Sequence, residues 1–82
     1  MKFRQDISIG ENIKQLRLNK GLTQVQVSTQ LQLYGCNTSY DVYAKMEQGK
    51  YNICISEFLA LKHIFDADYS DFFVGLDISK QH

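Results

Sequence analysis

Cys36 and His63 are the side chains in this sequence whose types could supply a nucleophile and its base, or half of a metal site. Neither arrangement gains a third member. His63 stands in an apolar run and His82 in the tail, and no carboxylate or nucleophile set converges on either, so a packed or solvated histidine is the simpler account. Two ligands without a third at metal-like spacing do not make a zinc site. Cys36 and Cys54 could in principle form one bridge, but nothing else marks a secreted disulfide scaffold. Small, partly buried apolar side chains describe both cysteines better. The sequence therefore implies no enzyme, no metal, no cofactor and no small-molecule substrate.

What remains is the chemistry of recognition. The stretch "TSYDVYAKMEQGK", residues 38–50, reads as a short helix capped by Ser39 and ended by Gly49. Tyr43 and Met46 fall on its inner side, and Asp41, Lys45 and Gln48 on the wet one. Asp41 and Lys45 stand at i and i+4 with the acid first, the favourable order for an intrahelical pair contributing roughly 0.2–0.5 kcal/mol. Either the two satisfy each other on a solvated face, or each is free to meet a polar partner.

The elements that must hold this helix follow from spacing. Ser8 with Glu11 three residues on has the form of a capping box, and Ile9, Ile13 and Leu16 recur helically until Gly21, which gives a first helix near residues 9–20. Thr23 opens "TQVQVSTQLQLYG", where Val25, Val27, Leu31 and Leu33 alternate as in a strand while Val27, Leu31 and Tyr34 form a helical stripe. A helix is expected there, closed by Gly35, because no second strand exists to pair with an isolated one. "ICISEFLALKHIF" puts Phe58, Leu61, Ile64 and Phe65 on one face of a fourth helix. Asp68 caps a fifth, to which Tyr69, Phe72, Phe73 and Leu76 lend bulk. The expected fold is all-α, a five-helix bundle over residues 9–76 with an N-terminal arm (1–8) and a C-terminal tail (77–82).

Size and charge bound the function. Eighty-two residues make one small domain whose core is marginal unless its apolar residues share one cluster. Nine basic and nine acidic side chains cancel, which argues against a general polyanion binder. The distribution is uneven: residues 1–22 carry five basic against two acidic (+5 − 2 = +3), and residues 50–82 three against five (+3 − 5 = −2). No stretch has the length and apolarity of a signal peptide or membrane span, so a cytoplasmic setting is expected.

"IGENIKQLRLNKGLTQ", "YAKMEQGK" and "EFLALKHIFDADYSDFF" together resemble the lambda-repressor-like helix-turn-helix family of Cro and repressor type, the XRE family, over about residues 9–74. The resemblance implies a sequence-specific, DNA-binding transcriptional regulator of prokaryotic or phage kind, with the second helix across the backbone and the third in the major groove of double-stranded DNA. Ser39, Tyr40, Asp41 and Lys45 match its base-facing positions. Gln24, Lys50, Tyr51 and Asn52 match positions that meet phosphates, Gln24 at a helix N-terminus where free N–H groups favour anions. Ser28 matches a small residue that lets the second and third helices approach. Arg17 and Glu47 match a salt bridge joining the first helix to the third, a structural role in preference to a DNA contact. The resemblance also implies a homodimer; Phe73, Leu76 and Ile78 could seal it, or could be buried within one chain. The connection from Leu33 to Ser39 exceeds the family's usual three or four residues and reads as an accommodated insertion. Asp41 and the zero net charge leave a second reading, a protein-interaction module of the same fold, antitoxin-like or an anti-repressor partner, with weak or lost DNA binding.

Overall fold

The computed structural model describes residues 8–76. The arm at 1–7 and the tail at 77–82, with Lys2, Arg4 and Ile78, lie outside the described residues. Four α-helices follow one another: α1 (Gly10–Asn19), α2 (Gln24–Leu33), α3 (Tyr40–Glu47) and α4 (Ile55–Phe65). Among the described residues none is long and apolar enough to cross a membrane.

Local chemistry explains most helix ends. Thr23 caps α2 through a reciprocal box: its hydroxyl accepts from the Gln26 N–H at 3.1 Å, and the Gln26 amide oxygen accepts from the Thr23 N–H at 2.8 Å. The strand-like alternation of this segment is overridden, since Val27 and Leu31 are both buried on one helical face. Ser39 caps α3 by accepting from the Val42 N–H at 3.3 Å. Gly35 ends α2 at φ +89°, a left-handed geometry that lets the Cys36 N–H reach back to the Leu31 carbonyl at 2.9 Å.

Three expectations are corrected. Ser8 does not cap the first helix in a box with Glu11: its hydroxyl accepts from the Gly10 N–H at 3.0 Å, and the Glu11 carboxylate accepts from Gln15 instead. Tyr34 leaves the α2 stripe, because the helix stops at Leu33 and the ring, more than half exposed, stacks on His63. The fifth helix is a five-residue 3-10 turn, Tyr69–Phe73, so the bundle has four α-helices. Here the Phe72 and Val74 carbonyls accept from the Asn12 side-chain amide at 2.9 and 3.0 Å, so α1 satisfies groups that a longer helix would bond internally. Of its apolar residues only Phe72 is buried; Tyr69 and Phe73 are nearly half exposed.

The core is one cluster: Ile9, Ile13, Val27, Leu31, Tyr43, Met46, Ile53, Ala60, Leu61, Phe65, Ala67 and Phe72. Phe58 joins it edge-on, 4.9 Å from the Phe72 ring. Gly10 is buried against α3, where an added Cβ would stand 2.5 Å from the Met46 carbonyl oxygen. The absence of a side chain there brings the start of α1 onto the end of α3.

Candidate nucleic-acid interface

Seating α3 is the first requirement of any surface built on it. Tyr43, Met46 and Glu47 are buried on its inner face. Glu47 is the polar anchor: Arg17 donates to it from Nε at 2.6 Å and from Nη2 at 3.2 Å, and Gln24 donates from Nε2 at 2.9 Å. Arg17 also donates to the Leu22 carbonyl at 3.0 Å, so one guanidinium links α1, the α1–α2 turn and α3. Burial pushes the Glu47 carboxyl up, but the hydrogen bonds from Arg17 and Gln24, with the Arg17 charge, outweigh it and hold the group below the usual carboxylate range. The Tyr43 hydroxyl sits against this pair, buried and without a well-formed hydrogen bond, and burial first and Glu47 second push its ionisation far up. Ser28, buried, turns its hydroxyl onto the Val25 carbonyl at 2.9 Å.

The connection between α2 and α3, residues 34–39, is fixed from both sides. Gln32 donates to the Thr38 carbonyl at 3.1 Å. The buried Thr38 hydroxyl donates to Oε2 of Glu57, and Oε1 of the same carboxylate accepts from the Cys54 N–H at 2.8 Å. This connection therefore hangs on α4, through a carboxylate that the sequence alone did not single out. The signal was available as Glu57 three residues after the residue that opens α4, the spacing by which a side chain returns to its own helix start.

Residues expected to face a partner divide into two groups. Ser39, Tyr40, Asp41, Lys45, Lys50 and Asn52 are exposed. Asp41 and Lys45 do not pair with each other, so the intrahelical alternative for these two is not realised among the described residues. Gln24 and Tyr51 turn their polar atoms inward, Gln24 onto Glu47 and the Tyr51 hydroxyl toward Glu57 at 3.5 Å and the Cys54 sulfur at 3.8 Å. What Gln24 can still offer a phosphate is its backbone N–H, which with that of Val25 precedes the first intrahelical bond of α2, made by Val27.

Two grooves flank α3. Glu11, Lys14, Gln24, Ala44, Glu47 and Gln48 line one, which is polar. The other runs past Arg17, Leu18, Leu22, Val25 and Tyr40, and Leu18, Val25 and Tyr40 are each about half exposed. With Arg17 neutralised by Glu47, the free charges around α3 are Lys14, Lys45 and Lys50 against Glu11 and Asp41, a nearly balanced surface. His63 stacks on Tyr34 with ring centres 6.1 Å apart, and among the described residues no three His, Cys, Asp or Glu side chains gather as a metal site would require. Comparison with known proteins gives no match for this chain among family models, curated sequences or solved structures.

Proposed function

We propose that the chain is a sequence-specific DNA-binding regulator of transcription, in which α2 and α3 act as a helix-turn-helix and α3 lies in the major groove. The observation that carries this reading is the two-sidedness of α3. Its inner face is anchored through Glu47 to α1 and α2, while Tyr40, Asp41 and Lys45 project from a rigid helix with no internal polar partner. Lys45 can donate to guanine O6 or N7, Asp41 can accept from cytosine N4, and Tyr40 can pack on a thymine methyl. The open N–H groups at the start of α2, with Lys50 and Asn52, would meet phosphates. A homodimer would double the few phosphate contacts one domain can make, and the half-exposed Phe73 offers apolar surface for it.

A second reading has its own support. The near balance of charge around α3 and the apolar groove of Leu18, Val25 and Tyr40 suit a protein partner better than a polyanion. Selection of random duplexes on the purified protein, followed by titration of the enriched pool at low and physiological salt, separates the two. A palindromic motif whose affinity falls with salt supports the DNA reader. No enrichment, with only weak nonspecific binding, removes it and leaves the interaction module.

A further inference from the structure

Glu57 is a buried carboxylate whose contacts go beyond those of a helix cap. Its Oε1 accepts from the Cys54 N–H at 2.8 Å, the ordinary return of a third-position acid onto the start of its own helix. One oxygen suffices for that. Oε2 accepts instead from the Thr38 hydroxyl, and the Tyr51 hydroxyl comes to 3.5 Å from the same oxygen. Thr38 immediately precedes Ser39, the cap of α3, and Tyr51 lies in the connection that follows that helix. Burial first, then Cys54 and Glu57, push the ionisation of Tyr51 up, so its hydroxyl remains a donor. Among the described residues no cation pairs with Glu57, and a buried carboxylate is stable only while donors fill its lone pairs. Here the donors come from the two segments that bracket α3.

We propose that Glu57 is a positioning residue: its one carboxylate holds the segment before α3 and the segment after it, and so fixes the spacing between the start of α3 and the connection at 50–52. The spacing matters because of what stands beside each tie. Ser39 and Tyr40 follow Thr38, Lys50 and Asn52 flank Tyr51, and all four are exposed. In the DNA reading, on which this consequence rests, the first pair faces bases and the second faces phosphates. Phosphate contacts set the register in which a helix reads bases, so the distance between the two pairs bears on which base pair is read. Gln32 donates to the Thr38 carbonyl at 3.1 Å, which ties the end of α2 into the same frame. Because Thr38 and Tyr51 share one oxygen, loosening one side of the frame loosens the other.

The test follows amide hydrogen exchange along the whole chain in the unaltered protein, Thr38→Val, Thr38→Ser and Glu57→Gln. Each rate is referred to the helical amides of Ile13 and Val27, remote in sequence from both ties. Thr38→Val should speed exchange at residues 51–54, on the far side of α3, by about fivefold or more. Thr38→Ser should restore it, and Glu57→Gln should loosen both segments together. Faster exchange around residue 38 alone would mean a local bond, and a matching rise at Ile13 and Val27 a general loss of stability; either overturns the proposal. If Thr38→Val does not fold, Tyr51→Phe makes the same test from the other side, with residues 36–38 as the readout. On a selected duplex, Thr38→Val should lose affinity for that sequence and keep its affinity for a scrambled one, whereas equal losses would refute the register role. Absence of any selected duplex removes the DNA reading and leaves the exchange result to decide whether Glu57 holds both ends of α3.

Discussion

The Thr38 hydroxyl donates to the Glu57 carboxylate inside the protein, joining the connection before α3 to the first turn of α4. Removing the donor leaves one oxygen of a buried carboxylate with only the long Tyr51 contact. Thr38→Val should therefore cost about 1–3 kcal/mol, a fall of roughly 4–8 °C in Tm per kcal/mol for a domain of this size. Thr38→Ser, which keeps the hydroxyl, should melt closer to the unaltered protein. Equal Tm values for Thr38→Val and the unaltered protein would show that this bond does not hold the connection.

Glu47 makes stability depend on acid. Its carboxyl is held below its ordinary value in the folded state, so its contribution is present above the unfolded pKa of about 4.3 and is lost as pH falls through the lower folded value. The Tm of the unaltered protein should drop between about pH 5 and pH 3, and Glu47→Gln should flatten that part of the profile while lowering Tm at neutral pH. Glu47→Ala strands Arg17, whose side chain is 11% exposed, and should cost about 3–5 kcal/mol. Thermal melts across this range decide it, and a parallel acid profile for Glu47→Gln would contradict the assignment.

Gly10→Ala tests the contact of α1 with α3. The new methyl would meet two backbone carbonyls, those of Met46 and Glu47, which cannot swing aside as a side chain can. A loss of about 1–3 kcal/mol is expected by urea denaturation, despite alanine's better helix propensity. A gain in stability would mean that the two helices part without cost.

On the DNA reading, Lys45→Ala should weaken binding to a selected site by about 1–3 kcal/mol if the lysine reads a base, with a smaller and sequence-independent loss if it holds a phosphate. Asp41→Ala should raise nonspecific affinity if repulsion by the carboxylate dominates. If Asp41 instead reads a cytosine, the variant loses discrimination at one base pair. Titrations against specific and scrambled duplexes at two salt concentrations distinguish these outcomes.

The helices were largely legible because their signals are local. Thr23 with Gln26 and Ser39 ahead of Val42 mark helix starts within four residues, and the spacing of Val27 and Leu31 or Tyr43 and Met46 gives the buried faces. What was illegible depends on partners distant in sequence. Asn12 looks like one more polar residue of α1 until Phe72 and Val74 come beside it. Gln24 and Tyr51 read as outward-facing because nothing nearby announces Glu47 and Glu57 as their acceptors. The five-residue 3-10 turn has the same apolar spacing that an α-helix would show, while the extended Val74 and left-handed Gly75 end it and Asn12, distant in sequence, meets its free carbonyls.

The Asn12 amide bonds have a temporal meaning as well. They connect residues 60 and 62 positions apart, so during synthesis α1 leaves the ribosome long before its acceptors exist. The Asn12 amide must stay solvated until Phe72 and Val74 emerge, although the buried face of α1 already has α3 to pack against.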